Sequence, residues 1–360
     1  LFLDIETPMI TGGILPNKIF LIVGKDAESK EIFSFTEDKL EDFKTLVSSY
    51  DEFVGHNIIG FDAPVINKVL AIDLHQQGKV IDTLILSRLF NPVREGGHSL
   101  KSWGDALRFD KLDFKDFSQY SDEMLTYCVR DVEVTEKVLT YLIRKYPDFS
   151  KEAIRLEHDV SRIITQQERN GFLFDMGNAH LLLGKLREKI NEIEIKVKER
   201  FIPLPTFVKE VKPRHRKDGT LSTVGLNSLG QGWVNVMGEF SLIEMKEFNL
   251  GSRQQIGRYL QYFGWKPTKF TDKGHIIVDE KVLEGVEGIP EAELIRNFLL
   301  LQKRIAQVSS WVEAVAEDGR VHGRVITNGA ITGRMSHQSP NMAQVPAVYS
   351  PYGKECRALW

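Results

Sequence analysis

The sequence predicts an α/β domain over residues 1–148, a mainly helical region over 149–315 and a short β-containing segment over 316–360. Short β-type runs interspersed with helical patterns indicate the α/β part. Apolar residues that recur every three or four positions over long stretches indicate the helical part. With 360 residues, the chain is long enough for at least two domains.

Within the α/β part, four short apolar runs are predicted to be strands, and the first three are expected to pair as a meander. The four runs are Leu1–Glu6, Ile19–Val23, Glu31–Phe35 and Phe53–Gly55. Three further segments have helical spacing, and a fourth joins the end of a strand to a helix. In that order, they are Thr36–Tyr50, Asp62–Leu70, Ser121–Lys145 and Val80–Phe90.

Two long helices are predicted after residue 150. Lys151–Asn170 ends at a helix-stopping Asn-Gly pair and carries one apolar face. That face consists of Leu156, Val160, Ile163 and Ile164. Asp175 can cap the second helix, which runs to Arg200 with an apolar stripe and alternating charges opposite, so a long exposed arm is expected.

The pattern after these helices indicates an insertion. Proline, glycine and basic residues cluster over Phe201–Phe248, including the run Lys209–Lys217. Helical spacing returns at Ser252–Phe263 and Glu291–Val315, and Val321–Pro346 is β-like and then loop.

Composition leaves the function open. The 42% apolar and 27% charged content is that of an ordinary globular protein. A formal charge of −3 neither favours nor excludes nucleic acid, because an acidic metal site and a basic groove can cancel. Cys128 and Cys356 are predicted to be ordinary thiols of a reducing compartment. Without an apolar run of membrane length or a signal segment, a cytoplasmic protein is expected.

Both ends of the chain are unusual. It opens on Leu1–Asp4 without an initiator methionine, and it stops at Arg357–Trp360 without a tail-like composition. We therefore expect a fragment of a longer protein.

Asp4 and Glu6 form the first candidate site. Alternate side chains of a strand point to one face, so the two carboxylates would project together. About seven acid-x-acid pairs are expected by chance in a chain with 50 acidic residues, so an ordinary polar strand face is an alternative. However, this strand is otherwise apolar, and two buried acids on one face are costly unless a divalent cation compensates.

Two more acids lie further along the chain. Asp62 follows the polar turn Gly55–Phe61 at the start of a predicted helix, where a helix cap is an alternative role. Tyr127 and Asp131 are four residues apart on one face of a predicted helix, a spacing that surface pairs also use. Each signal is weak by itself.

Taken in order, the three signals resemble a known set of motifs. They are Asp-x-Glu at Asp4, Asn-x₃-Phe-Asp ending at Asp62, and Tyr-x₃-Asp ending at Asp131. This arrangement resembles the exonuclease motifs of the DEDD superfamily, Tyr subtype, which includes proofreading domains of DNA polymerases, RNase D and RNase T. The resemblance implies an RNase H-like 3′→5′ exonuclease domain, with a mixed central sheet and flanking helices, over residues 1–148.

The resemblance also implies two divalent metal ions, Mg²⁺ or Mn²⁺. Asp4 would bridge both ions, Glu6 and Asp131 would complete one site, and Asp62 would support the other. Tyr127 would orient the attacking water. Only an unpaired 3′ end fits such a site, so frayed or mismatched primer ends would be favoured.

Neighbouring residues are given lesser roles by the same resemblance. Asn57 and Phe61 would position the terminal nucleotide, with a core aromatic as an equal alternative for Phe61. His56 is expected to be structural rather than a base. His98–Trp103 is expected to pack and to guide the strand.

Several segments of the second half carry a further resemblance. Gln167–Phe172, Thr332–Ser336 and Pro340–Pro346 resemble segments of family A (Pol I-like) DNA polymerases, and Gly264–Gly274 and Ser350–Gly353 resemble the T-seven-like phage polymerases. The resemblance implies a helical thumb over 149–315 and the truncated start of an α/β palm over 316–360.

By position in that family, Arg334 would contact the primer terminus, and Asn341 and Gln344 the template side. Minor-groove hydrogen bonds from such residues tolerate any sequence. A loop salt bridge is the alternative for Arg334. Because the chain ends before the strand expected to carry the first polymerase Asp, it is not expected to polymerise by itself.

DNA primer–template and single-stranded 3′ ends are the implied partners. Phage polymerases of that type bind a thioredoxin-like processivity factor through a thumb insertion. Phe201–Phe248 occupies the place of that insertion but is shorter, and its basic run could contact DNA phosphates.

Three functions stay open. They are a proofreading exonuclease within a phage replicative polymerase of the host cytosol, a non-catalytic DNA-binding half completed by a separate C-terminal polymerase half, and an RNase D-like RNA-processing exonuclease.

Overall fold

Five strands form a mixed sheet in the N-terminal part of the chain, counted within residues 1–8, 15–222 and 238–360, which the computed structural model describes. They are β1 (Phe2–Glu6), β2 (Leu21–Lys25), β3 (Ile32–Thr36), β4 (Glu52–Gly55) and β5 (Lys79–Asp82). The strand order is β3-β2-β1-β4-β5. β1 pairs antiparallel with β2 and parallel with β4, so β1 is the central strand of the sheet.

Helices accompany these strands. They are α1 (Leu40–Val47), α2 (Asp62–Leu70), α3 (Leu74–Gln77), α4 (Thr83–Phe90), α5 (Leu100–Leu107), α6 (Asp122–Lys145) and α7 (Lys151–Asn170). The mixed sheet and its helices confirm the predicted α/β class. The predicted bounds of α2 and α7 are those observed, whereas the short α5 was not predicted as a helix.

The C-terminal elements follow in chain order. They are β6 (Phe172–Leu173), α8 (Met176–Arg200), β7 (Leu204–Val211), β8 (Phe240–Lys246), α9 (Arg253–Tyr262), α10 (Glu280–Glu284), α11 (Pro290–Glu313), β9 (Arg320–Val321), β10 (Arg324–Ile326), β11 (Ser336–Gln338) and α12 (Gly353–Arg357). The chain forms two compact units, Leu1–Met176 with Ser310–Trp360, and Gly177–Ser309. The three-part division over 1–148, 149–315 and 316–360 stays a prediction.

Alternation along β1 separates two apolar cores of the first unit. Leu3 and Ile5 belong to one cluster of buried residues, together with side chains from α1 and α2. Phe2 belongs to the other cluster, together with side chains from α6. Because alternate side chains point the same way, Asp4 and Glu6 lie on the α6 side of the sheet.

Asp82, at the end of β5, organises the turn that follows β4. Its carboxylate accepts hydrogen bonds from the N–H groups of Asn57 (2.9 Å) and Ile59 (3.1 Å). It also caps α4 by accepting from the N–H of Leu84 at 2.9 Å. Its own N–H donates to Nε2 of His158 at 2.9 Å. The side chain and backbone N–H of this one buried residue therefore connect β5, α4, α7 and the turn before α2.

The apolar face predicted for α7 is only partly covered, since Val160 and Ile164 are half-buried. Leu156 and Ile163 are 60% and 65% exposed. The buried residues of α7 are instead His158 and Thr165. His158 is retained in the interior because Nδ1 hydrogen-bonds the carbonyl of Ile154 (2.8 Å) while Nε2 accepts from Asp82. The covered side of this helix thus includes a polar residue whose ring nitrogens are hydrogen-bonded, as buried polar groups usually are.

The second unit has its own apolar core, to which α9 and α11 contribute Ile256, Leu260 and Ile295. β7 and β8 pair as an antiparallel hairpin. Phe201 and Phe248, the two ends of the predicted insertion, stack with ring centroids 4.4 Å apart. Residues 223–237 of that insertion lie outside the described residues.

Asp82→Ala is expected to lower the free energy of unfolding by at least about 2 kcal/mol, because one change removes a helix cap and the acceptor for two turn N–H groups. Urea denaturation measures the loss. Asp73→Ala is the matched control, since Asp73 caps α3 through a single N–H, that of His75. Equal losses in the two variants would contradict the role of Asp82 in the turn.

Candidate active site

Four acidic side chains converge on the side of β1 that α6 covers. Asp4 and Glu6 come from β1, Asp62 is the first residue of α2, and Asp131 lies in α6. Asp62 and Asp131 are each only 3% exposed, and Glu6 is 6% exposed. The charges of Asp4, Asp62 and Asp131 all act on Glu6 and raise its pKa, so the four form one electrostatic cluster.

The turn before α2 sets the position of Asp62. Gly55 is close-packed there, since an added Cβ would lie 2.7 Å from the Cβ of Ile58. Asn57 adopts a left-handed backbone conformation, with φ of 69°. Asp62 is not the cap of its helix: Phe61 precedes the helix and no side-chain cap bond forms. The alternative role of Asp62 as a helix cap is therefore excluded.

α6 carries the remaining motif residues. Ser121 caps the helix by accepting from the N–H of Met124 at 3.1 Å. One turn later, Tyr127, Cys128 and Asp131 reach the cluster. Asp131 is buried and Tyr127 is half-buried, so the alternative of an exposed surface pair does not hold.

Burial raises the pKa of every acid in the cluster, and repulsion from neighbouring acids adds to it at Asp4, Glu6 and Asp62. Loss of solvation, followed by the charge of Asp131, raises the pKa of Asp4 to about 7. Loss of solvation, followed by the charge of Asp4, raises the pKa of Glu6 to about 9. The pKa values of Asp62 and Asp131 are also raised, mainly by burial.

Within the described part of the chain, two oxygens of the cluster have no hydrogen-bond partner. They are Oδ1 of Asp62 and Oδ1 of Asp131, both buried. A buried acceptor without a partner costs about 1–3 kcal/mol. Carboxylate oxygens are the ligands that Mg²⁺ and Mn²⁺ prefer, so the chemistry of the four acids suits divalent cations. Among the described residues, ligand atoms of Asp4 and Glu6 lie within 4.8 Å of each other, whereas Asp62 and Asp131 are not brought into that close group.

The sequence patterns did not single out Lys111. It follows α5, and its Nζ lies 2.5 Å from Oδ2 of Asp131. Burial lowers the pKa of Lys111, but the ion pair with Asp131 and hydrogen bonds to Asp131 and Tyr127 outweigh that effect and raise it. The ammonium therefore stays charged as a cation within the cluster. No local signal marks this residue, because its partner is 20 positions away.

Tyr127 is held by aromatic and cationic neighbours. Its ring centroid lies 5.5 Å from that of Phe114 and 6.1 Å from that of Phe117. Nζ of Lys111 lies 4.5 Å from the same ring. Burial, then the charge of Asp131, raises the pKa of Tyr127 to about 12. The phenol therefore remains protonated near neutral pH and acts through hydrogen bonding.

His56 lies in the turn but is a poor base. Its Nδ1 hydrogen-bonds Oγ1 of Thr83 at 2.8 Å, and its Nε2 is buried without a partner. Burial lowers the pKa of His56 to about 3, so it stays neutral. Its neighbours Asn57 and Phe61 are half-buried beside the site, and Phe61 packs against the apolar core.

The residues predicted to contact duplex DNA belong to the C-terminal segment of the first unit. Arg334 is exposed in a turn in which Gly333, with φ of 75°, donates its N–H to the carbonyl of Ala330 at 2.9 Å. Oδ1 of Asn341 accepts from the N–H of Ala343 (3.2 Å), and Gln344 is exposed. None of the three belongs to the carboxylate cluster.

Known proteins similar to this chain are DNA polymerases. Residues 229–360 match the family model described as DNA polymerase family A. The DNA-directed DNA polymerase of Escherichia phage T7 is 31% identical over 403 residues, covering 85% of this chain and 57% of the phage protein. The enzyme of Enterobacteria phage T3 matches with the same identity and coverage. The chain is a homologue of these two phage DNA polymerases.

This polymerase homologue spans 57% of the length of each of those two relatives. It is also similar in fold to the POL domain of Pol1 from M. smegmatis, solved in complex with DNA primer-template and dNTP. That similarity has a TM-score of 0.67 at 16% identity and covers 95% of this chain and 52% of the other. At this identity it establishes the fold alone. Among the described residues, no helix of the homologue is both long and apolar enough to cross a membrane.

Glu6→Gln is expected to stabilise the polymerase homologue in the presence of a chelator, and more so at higher pH. The folded-state pKa of about 9 lies above the ordinary value of 4.5, so the stability contributed by protonated Glu6 is complete below about 4.5 and lost as pH rises through about 9. Melting temperature measured from about pH 5 to pH 9 tests this, with the exposed Glu37→Gln as control. A wild-type profile as flat as that of Glu6→Gln would contradict it.

Lys111→Met is expected to lower the free energy of unfolding in chelator by about 1–3 kcal/mol, because it leaves the buried Asp131 without its cation. Added Mg²⁺ should then raise the melting temperature more than in the unsubstituted chain, since no ammonium competes for Asp131. Lys101→Met is the control, because Lys101 forms an exposed ion pair with Asp113 at 3.3 Å. The idea fails if both substitutions change stability and the Mg²⁺ response equally.

Proposed function

We propose that residues 1–148 act as a 3′→5′ proofreading exonuclease of a phage replicative DNA polymerase, with an RNase H-like fold. The observation that carries the proposal is the cluster of Asp4, Glu6, Asp62 and Asp131, with a buried unpaired oxygen on each of the last two. Such a cluster is costly unless cations occupy it. Two divalent ions, when bound, would supply Lewis-acid stabilisation of the reacting phosphate.

Asp4, Glu6 and Asp131 would hold one ion, and Asp4 with Asp62 the other. Tyr127 would orient the attacking water through its hydroxyl, which stays protonated because its pKa is about 12. Lys111 lies beside this hydroxyl and adds positive charge where a phosphate must enter. Lys111 would therefore help to position the phosphate and would not take part in bond breaking.

Substrate binding is proposed on two surfaces. Asn57 and Phe61 lie in the turn before Asp62 and would position an unpaired 3′ nucleotide. Arg334, Asn341 and Gln344 would contact the minor groove of primer–template duplex. A thioredoxin-like partner at Phe201–Phe248, or a separate C-terminal polymerase half, belongs to the same proposal and is supported only by position in the sequence.

Two other functions account for less of what is observed. A non-catalytic DNA-binding half would have no use for four buried acids, which destabilise the metal-free fold. An RNase D-like enzyme would not account for the match of residues 229–360 to a polymerase family. The exonuclease proposal accounts for both.

The test is Mg²⁺-dependent digestion of a 5′-labelled DNA primer, single-stranded and annealed with a 3′ mismatch. Stepwise shortening from the 3′ end is expected, faster on frayed ends. Asp4→Ala/Glu6→Ala should reduce the rate by more than about 100-fold, since it removes several kcal/mol of metal-dependent stabilisation. Asp148→Asn, which changes an exposed carboxylate, should have no effect.

An RNA strand of the same sequence separates the remaining alternatives. Faster digestion of RNA than of DNA would favour the RNA-processing function. A folded protein that binds the primer but shortens it with neither Mg²⁺ nor Mn²⁺ would favour the DNA-binding half.

A further inference from the structure

A thiol lies inside the carboxylate cluster and has no role in the proposed hydrolysis. Cys128, on α6, is 0% exposed. Its Sγ lies 3.5 Å from Oδ2 of Asp4 and 3.7 Å from the carbonyl oxygen of the same residue. Sγ and one carboxylate oxygen each from Asp4 and Glu6 all lie within 4.8 Å of one another. The three atoms face one small volume between β1 and α6.

The spacing of these atoms suits a cation that accepts sulfur. A tetrahedral Zn²⁺ forms bonds of about 2.3 Å to sulfur and about 2.1 Å to oxygen. A sulfur ligand and an oxygen ligand of the same ion are therefore about 3.6 Å apart. The 3.5 Å between Sγ of Cys128 and Oδ2 of Asp4 agrees with that separation. Mg²⁺ takes oxygen ligands, whereas thiolates select softer ions.

A buried cysteine can also be a small apolar side chain of the core. Two contacts separate Cys128 from that role. Its sulfur lies 3.5 Å from Oδ2 of Asp4 and within 4.8 Å of a carboxylate oxygen of Glu6, so polar ligand atoms rather than only apolar atoms surround it.

We propose that Cys128, Asp4 and Glu6 form a mixed sulfur–oxygen site for thiophilic divalent cations such as Zn²⁺ and Cd²⁺, and that these ions compete with Mg²⁺ for the cluster. The inference rests on the proposed function, because it assigns a second class of cation to the same carboxylates. Binding breaks the S–H bond of Cys128, forms a sulfur–metal bond and releases one proton to the solvent. No oxidant or reductant takes part.

The consequence for the proposed exonuclease is inhibition. An ion held by Asp4, Glu6 and a thiolate occupies two of the carboxylates that the catalytic ions need. Its preferred tetrahedral geometry also differs from the octahedral geometry of Mg²⁺. Zn²⁺ or Cd²⁺ should thus suppress Mg²⁺-dependent digestion at concentrations far below that of Mg²⁺.

The experiment is titration of the metal-free 360-residue chain with Cd²⁺, followed by ultraviolet absorption and by calorimetry. We expect a cadmium–thiolate charge-transfer band that saturates at one ion per chain. Cys128→Ser should lose the band and bind Cd²⁺ at least roughly tenfold more weakly. A loss of affinity of that size is typical even when the substituted residue only supports a metal ligand. Cys356→Ser, which removes the other buried cysteine, should keep both.

A second measurement needs no substitution. Excess Mg²⁺ or Mn²⁺ added to the cadmium-loaded chain should abolish the band, because the ions share Asp4 and Glu6. Absence of the band in the folded chain, its persistence in Cys128→Ser, or a band that Mg²⁺ does not displace would each overturn the proposal. If Mg²⁺ supports digestion but no band forms, only this inference fails; if the band forms but no divalent ion supports digestion, only the proposed function fails.

Discussion

The burial of four carboxyl groups against one strand is the constraint on which the rest of the first unit depends. β1 is the central strand, and on its α6-facing side Glu6 is buried and Asp4 is half-buried. Like charges in such a place raise one another's pKa or attract cations. Both responses occur: the acids have raised pKa values, and Lys111 forms an ion pair with Asp131.

Holding these groups together takes rigid support from outside the cluster. Asp82 satisfies the N–H groups of the turn that leads to Asp62, and His158 in turn accepts the N–H of Asp82. On the other side, Ser121 begins a long helix that presents Tyr127 and Asp131 one turn apart. The repulsion among the acids is therefore resisted by hydrogen bonds that involve none of them, which is how strained functional clusters are usually maintained.

Much of this arrangement could be predicted from the sequence because it depends on local patterns, namely the spacing of residues along a strand and the residue types of a turn. Period-2 spacing placed Asp4 and Glu6 on one face of a strand, and the turn residues located the start of α2 at Asp62. Long-range contacts left no such pattern. Lys111 reaches Asp131, and Cys128 reaches Asp4, only because α6 crosses β1 in the fold. Apolar periodicity likewise did not predict that α7 buries His158, which a hydrogen bond from the N–H of Asp82 satisfies.

The same contacts indicate how the cluster is neutralised when no divalent ion is bound. One ammonium, that of Lys111, stands among four carboxyl groups, and the pKa of Glu6, about 9, keeps that group protonated near neutral pH. Protons and Lys111 together therefore compensate the clustered carboxyl groups. In the proposed exonuclease, a divalent cation would release those protons, so its binding would depend on pH. Lys111 would remain beside Tyr127, where its ammonium could pair with the phosphate of an incoming strand.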